Sequence, residues 1–300
     1  MTDQSSPGAA RPDPLRLETG FSGLARVGAR PSLPAYIASL WAYRHFIRFD
    51  ALSRLKSNYR KNVLGPVWLV LTPVLNGLTY YLIFGLLLNL SRGIDNYVGY
   101  LLIGVFGFQF TNKVVMAGGS AINNNRKVVE AFSFPRASLP IAASLRETLG
   151  YIPGYLAMLV LILAIATPDE ITWRWLYVVP IVALQAIFSQ GIGLLLSRVI
   201  AAAPDFLNIM SFTMRIWMYA SGVFYSFDRF ANRPELAGLL DVLEGNPLYQ
   251  ILSMLRGVLL YAESPSLEQW LLVGAWAAGA YAVGFIVFWS AEETYSREAK

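Results

Sequence analysis

The chain has 300 residues, of which 55% are hydrophobic and only 14% charged, and its mean hydropathy is +0.47. That balance lies outside the soluble globular range. The absence of cysteine excludes disulfides and cysteine metal sites, and a single histidine, His45, argues against a histidine metal cluster or a Ser-His triad. The net charge of +5 does not read as a nucleic-acid footprint, because the positive residues cluster beside apolar runs long enough to cross a bilayer.

Residues 1–34 are rich in Pro, Gly, Ser and Arg with little apolar periodicity, which predicts a disordered tail. No apolar run follows Met1, so no cleaved signal peptide is expected. From Ala35 to Lys61 apolar residues such as Ile37, Leu40, Trp41, Ile47 and Leu52 alternate with Arg44, Arg48, Arg54, Lys56, Arg60 and Lys61. Such a segment predicts a basic amphipathic helix in the headgroup region, or a soluble helix packed on a partner. Gly65-Pro66 then marks a helix break, since Pro66 lacks an N–H and restrains Gly65.

Six spans are predicted, making an all-α polytopic membrane protein. The first, Val67–Leu90, is 24 residues without a charge, against about 20 needed to cross the hydrocarbon. The others run over 97–119, 139–166, 175–197, 206–225 and 270–291. Trp68, Trp173, Trp175, Trp270 and Trp289 fall at span ends, as an interfacial belt requires. An even number of spans places both termini on one side. That side collects 16 of the 24 Lys and Arg residues against five on the other, so both termini are expected in the cytoplasm.

Two connections are unusual. The cytoplasmic one, 123–139, mixes charge with Val128, Val129, Phe132 and Phe134. The external one, 226–269, contains apolar helical pieces at 236–243 and 249–261, which predict re-entrant or interfacial helices.

No phosphate-binding loop or dinucleotide fingerprint occurs, so any ATP that drives this protein is bound by another chain. Facing carboxylates or a metal cluster of the kind glycosyl and phosphoryl transfer use are not evident, and Asp169-Glu170 and Glu292-Glu293 flank spans. Lys113 and Arg146 lie close enough to a span end to snorkel. Arg215 sits near mid-span, where it must face protein, water or an anion; it either bridges to Glu147 or meets a passing phosphate. The aromatic residues Tyr80, Phe84, Phe106, Phe110, Phe212 and Tyr219 recur at helical spacing. They face lipid, pack in the core, or offer flat surfaces to sugar rings.

In order and spacing, several segments resemble the permease subunits of ABC-type polysaccharide exporters, those of O-antigen, teichoic acid and capsule. They are Tyr59-Arg60 with Leu64-Gly65-Pro66-Val67-Trp68, Asn123-Asn124-Asn125, Arg126-Lys127-Val128 leading to Phe134-Pro135-Arg136, Val223-Phe224-Tyr225-Ser226, and Asn246-Pro247-Leu248 followed by Arg256. The resemblance covers about Ala35 to Ala291. It implies a homodimer in the bacterial inner membrane, enclosing a channel and driven by two copies of a separate ABC ATPase that holds the ATP and Mg2+, with no cofactor on this chain. Its cargo would be a polyprenyl-pyrophosphate-linked glycan.

By the same resemblance, Arg126, Lys127, Val128, Glu130, Phe132, Phe134 and Arg136 couple to the ATPase, and Arg44, Arg48, Arg60 and Lys61 meet the incoming lipid pyrophosphate. Tyr80, Phe84, Phe106, Phe110, Phe212, Arg215 and Tyr219 would line the channel, and Phe224, Tyr225, Asn246 and Pro247 would form an external gate. Two other classes fit less of the chain: a small-molecule ABC exporter permease, and a membrane enzyme acting on polyprenyl-linked substrates.

Overall fold

The computed structural model describes residues 31–60, 65–87, 94, 96–132, 134–166, 171–230 and 234–295. Among them every regular element is helical. The tail expected over 1–34 therefore lies outside the described residues except for its last four, and α1 (Leu33–Ala42) already begins within it. In place of one long interfacial helix there are two, α1 and α2 (Arg44–Arg60), parted at Tyr43. Their inner face buries Tyr36, Leu40, Ile47 and Ala51, while Ile37, Trp41, Phe49 and Leu52 stay exposed. Apolar residues thus occupy both faces, one for the protein and one for a surrounding apolar medium.

Among the described residues four helical stretches are long and apolar enough to cross a membrane: 97–119, 138–165, 173–202 and 267–290. They correspond to the second, third, fourth and sixth predicted spans. In the third, α7 (Ser138–Gly150) and α8 (Ile152–Ile165) meet at Tyr151, where Pro153 withholds an N–H from the helical ladder. The fourth is α9 (Val178–Ala202), entered through a 3-10 turn at 173–177. The last, α13 (Leu267–Ser290), starts at a capping box in which Ser266 and Gln269 satisfy each other's backbone N–H.

The first and fifth predicted spans are built differently. The α3 helix (Gly65–Tyr80) passes into a π-helical segment over Tyr81–Leu87, and residues 88–90 lie outside the described residues. The α10 helix (Phe206–Ala220) is only 15 residues, about 22 Å at 1.5 Å per residue. It stops because the chain turns at Gly222, whose φ of +60° is open to glycine at little cost. Between the spans lie α5 (Ala121–Asn124), α6 (Arg126–Ala131), α11 (Ala237–Glu244) and α12 (Pro247–Leu260).

The α4 helix (Tyr97–Gly119) is the axis of the bundle, buried on most of its circumference. A central glutamine pins it there. Gln185 of α9 accepts from the Tyr155 hydroxyl at 2.8 Å and donates to the Gly107 carbonyl and Thr111 hydroxyl, both at 2.8 Å. Both polar atoms of this buried amide are therefore hydrogen-bonded, as burial in an apolar core demands.

Close approach does the rest. Where α9 crosses α13, a Cβ on Gly191 would overlap the backbone at Ala280 and Tyr281, and one on Gly284 would overlap the Gly191 carbonyl. Small residues of this kind let helix backbones touch when there is no hydrophobic gain between helices in lipid. Gly191→Ala should therefore lower the melting temperature of the purified protein in detergent by several degrees, roughly 1–3 kcal/mol of overpacking. Gly274→Ala, on the same α13 but with nothing within 4 Å, should leave it unchanged.

Candidate functional site

One surface groove concentrates polar and charged groups in an otherwise apolar bundle. It holds about 490 Å³ between α3, α4 and α10. Asn76, Gln109, Asn112 and Ser211 give it hydrogen-bonding groups, and Lys113 and Arg215 give it positive charge. Tyr80, Phe108 and Tyr219 supply flat aromatic walls, with Met116, Met214 and Met218 between them. Its position follows from helix periodicity: Asn112 and Gln109 are one turn apart on α4, and Ser211, Arg215 and Tyr219 succeed one another on α10. A polar groove at this level of an apolar bundle is unstable against hydrocarbon, so in its working setting it faces water, another protein surface or a polar ligand.

At one end the groove is closed by an aromatic cluster. Phe224 is fully buried, stacked on Phe84 at 4.5 Å and edge-on to Tyr80 at 4.7 Å. The turn carrying it is held from three directions. The Tyr97 hydroxyl donates to the Phe224 carbonyl at 3.0 Å, and the Tyr100 hydroxyl contacts the Gly222 and Tyr225 carbonyls at 2.9 and 2.8 Å. Arg256 of α12 is buried, lies 3.4 Å over the Tyr100 ring and donates to the Gly222 carbonyl at 3.0 Å. Asn246 caps α12 by accepting from the Leu248 N–H, and it also accepts from the Trp217 indole at 3.0 Å. Its amide donates to the Ala220 carbonyl and the Ser221 hydroxyl. Pro247 follows at the first helical position, where no N–H is needed. The start of α12 and the end of α10 are thus one unit.

At the opposite end a buried carboxylate joins three parts of the chain. Glu292, just past α13, accepts from the Tyr36 hydroxyl of α1 at 2.7 Å and from the Arg136 N–H at 3.1 Å, while the Arg136 guanidinium bonds the Glu292 carbonyl. The Ala137 N–H completes the joint by donating to Tyr36. Burial raises the Glu292 carboxyl above its ordinary value, against the opposing pull of Tyr36 and Arg136. The same burial, helped by Glu292, pushes the Tyr36 hydroxyl far above the usual phenol range. Beside this joint α2 contacts the α5–α6 segment, with the Arg54 guanidinium donating to Asn125 at 3.1 Å.

The sequence-predicted residues divide accordingly. Tyr80, Arg215 and Tyr219 meet in the groove, and Phe84 sits at its closed end. Phe106 and Phe110 do not face it; they are fully buried, and Phe110 packs on Tyr151 and Tyr155. Phe212 is exposed and lies outside the groove lining. The Arg215–Glu147 bridge is not formed, because Glu147 is bound at 3.1 Å by its neighbour Arg146. In the 126–136 segment Arg126, Lys127, Glu130 and Phe132 are exposed, and Val128 is half-buried. Phe134, placed by the resemblance in the coupling set, packs against the cluster around Tyr36 and Leu139, and Arg136 turns inward to Glu292. Arg44 and Arg48 are exposed, with Arg44 stacked over Trp41 at 5.1 Å. Lys61 and the side chain of Arg60 lie outside the described residues.

Sequence reasoning missed Asn76, Gln109 and Asn112 as one set, although a polar residue inside an apolar run was the available signal. It also read Glu292 only as flanking a span, with no partner assigned. Only the packing of α1 against the end of α13 buries it.

Among the described residues the chain is an all-helical bundle with several helices apolar and long enough to cross a membrane and a polar groove on its surface. Residues 51–260 match the family model of the ABC-2 type transporter, and the chain belongs to that family. Among curated relatives, the O-antigen export system permease protein RfbA of Myxococcus xanthus is 22% identical over 259 residues, which is 86% of this chain and 94% of that protein. The protein of the same name from Klebsiella pneumoniae is 25% identical over 175 residues, 58% of this chain and 66% of its own length.

Removing the buried carboxylate tests the joint. Glu292→Ala leaves the Tyr36 hydroxyl and the Arg136 N–H without an acceptor and should cost roughly 2–4 kcal/mol in a thermal or denaturant melt. Glu292→Gln keeps an acceptor and should cost less than half as much. Because the folded pKa is raised above 4.5, the native protein should lose stability as pH rises through the raised value, and Glu292→Gln should abolish that dependence.

Proposed function

We propose that this chain is the permease subunit of an ABC exporter that carries a lipid-linked, O-antigen-type polysaccharide across the bacterial inner membrane. The observation that carries the reading is the groove: amides, a hydroxyl and aromatic faces in a wall that would otherwise meet lipid. Two relatives named as O-antigen export permeases support the class of cargo. A second copy of the chain, set against α3 and α10, would close the groove into a channel lined by Tyr80, Arg215 and Tyr219, with Phe84 and the Phe224 cluster at its outer end. Each copy crosses six times in this reading, with α3 and its π-helical continuation as the first span and α10 with its following turn as the fifth. Both termini lie in the cytoplasm, where Lys and Arg accumulate.

ATP and Mg2+ belong to two copies of a separate ATPase. Its docking element is the segment from Arg126 to Phe132, which presents Arg126, Lys127, Glu130 and an exposed Phe132. Docking there reaches the bundle through Arg136 and Glu292, which tie the segment to α1 and α13. A cycle of hydrolysis then biases two arrangements of the dimer, closed and open, through their different contacts with the ATPase. Arg44 and Arg48, and with them Arg60 and Lys61, meet the lipid pyrophosphate on its arrival along α2.

Phe132→Asp separates this reading from a structural role. Phe132 is 65% exposed, so the variant should melt as wild type and still insert. Export of the glycan in cells should fall roughly tenfold or more, and the co-purified ATPase should lose its stimulation by substrate. Undiminished export by this variant would remove the 126–132 segment from the coupling path. A tagged permease that purifies without an ATPase would remove the exporter reading itself.

A further inference from the structure

We infer that Arg215 and Lys113 form a phosphate-ester site within the groove, a transit site for the diphosphate of the cargo at mid-depth, apart from the arginines of α2. This rests on the groove being the export pathway. The argument is one of charge balance. The six stretches read as spans contain three cations, Lys113, Arg146 and Arg215, and one carboxylate, Glu147. Arg146 takes that carboxylate at 3.1 Å. Glu147 also acts on the Lys113 ammonium, which rests 5.1 Å over the Tyr151 ring.

Arg215 is left exposed on the groove with no ion pair or hydrogen bond to the described residues. A second copy cannot neutralise it, because that copy brings the same three cations and the same single carboxylate. Asp205, the acidic residue nearest Arg215 along the chain, lies ten positions away, about 15 Å along the helix axis.

Each copy therefore carries two cations in excess of its carboxylates along these stretches, Lys113 toward a span end and Arg215 near mid-span, where an unneutralised guanidinium costs several kcal/mol. A matching anion passing through the groove offsets that excess. A single carboxylate on a sugar would answer half of the excess, whereas a diphosphate answers all of it. The guanidinium fork suits two phosphate oxygens at once, and an ammonium serves as a point charge beside it. Asn76, Gln109 and Asn112 add N–H donors to the same space. Tyr80, Phe108 and Tyr219 give apolar faces for the attached sugar or isoprenoid. Because phospholipid headgroups share this chemistry, the test must separate the two sources.

The permease, purified with its ATPase and free of nucleotide, is titrated with radiolabelled farnesyl diphosphate. Unlabelled farnesol and phosphatidylglycerol serve as competitors. Wild type should bind the probe, with farnesol failing to displace it and phosphatidylglycerol displacing it only in large excess. Arg215→Gln should weaken binding roughly tenfold or more, Lys113→Gln several-fold, and Arg215→Lys by an intermediate factor, all at unchanged melting temperature. Binding by Arg215→Gln equal to wild type overturns the site, and displacement by phosphatidylglycerol at equal concentration reassigns it to bilayer lipid and overturns it as well.

Ser211→Trp, which fills the groove and keeps both cations in the chain, separates the two readings. If it blocks glycan export while Arg215→Gln binds and exports normally, the pathway stands and the phosphate site falls. If Ser211→Trp exports normally, the pathway reading falls whatever Arg215 does.

Discussion

In an apolar medium every polar group must find its partner inside the protein, and that constraint organises this bundle. Gln185 shows it most clearly. Its amide spends all its capacity on α4 and α8, so three helices are held in register around one side chain. Arg256 and Asn246 obey the same rule where α10 and α12 meet, each turning toward backbone carbonyls exposed by a helix end. With these needs met locally, the helices can close through glycine contacts such as Gly191 on Gly284.

Against that background the groove between α3, α4 and α10 stands out because it gathers polar and charged groups on the surface of one chain. Its amides and its Arg215 face outward at a level where the neighbouring helices expose Leu78, Leu82 and Ile216. A polar surface beside apolar ones divides the periphery of the molecule into a part suited to lipid and a part that needs a partner or a polar cargo. The two ends of the bundle are also bound differently. One end is tied by carbonyl-directed hydrogen bonds around Gly222, the other by the Tyr36–Glu292–Arg136 joint, where an ionisable group is buried. The second kind of joint responds to charge and to movement of the attached segment, which suits the end that bears the exposed Phe132.

Much of the helical content was legible from apolar runs and their punctuation. The second and sixth spans fall within three residues of their expected ends, because Asn96 and Ser266 cap them and the interior is uniformly apolar. The first and fifth did not follow the pattern. In the first, backbone hydrogen bonding widens after Tyr80, and in the fifth, Gly222 adopts a left-handed conformation and ends the helix early. Hydropathy carries neither event, since both concern backbone geometry rather than side-chain polarity. The α1–α2 break at Tyr43 escaped for the same reason.

Sequence alone therefore determined the class of the protein, the existence of its long apolar helices and the residues able to carry charge among them, because composition and period are local properties. It also singled out Tyr80 and Tyr219 by their helical spacing and Arg215 by its place near mid-span, and these three share the groove. Which aromatic residues face the groove was decided only by tertiary packing, which turns Phe106 and Phe110 into the core and leaves Phe212 outside. Packing likewise buried Glu292 and drew Phe134 inward, because those outcomes depend on α1 folding back across more than 250 residues of chain onto the end of α13. A contact between residues that distant is set by how helices pack, and no local pattern encodes it.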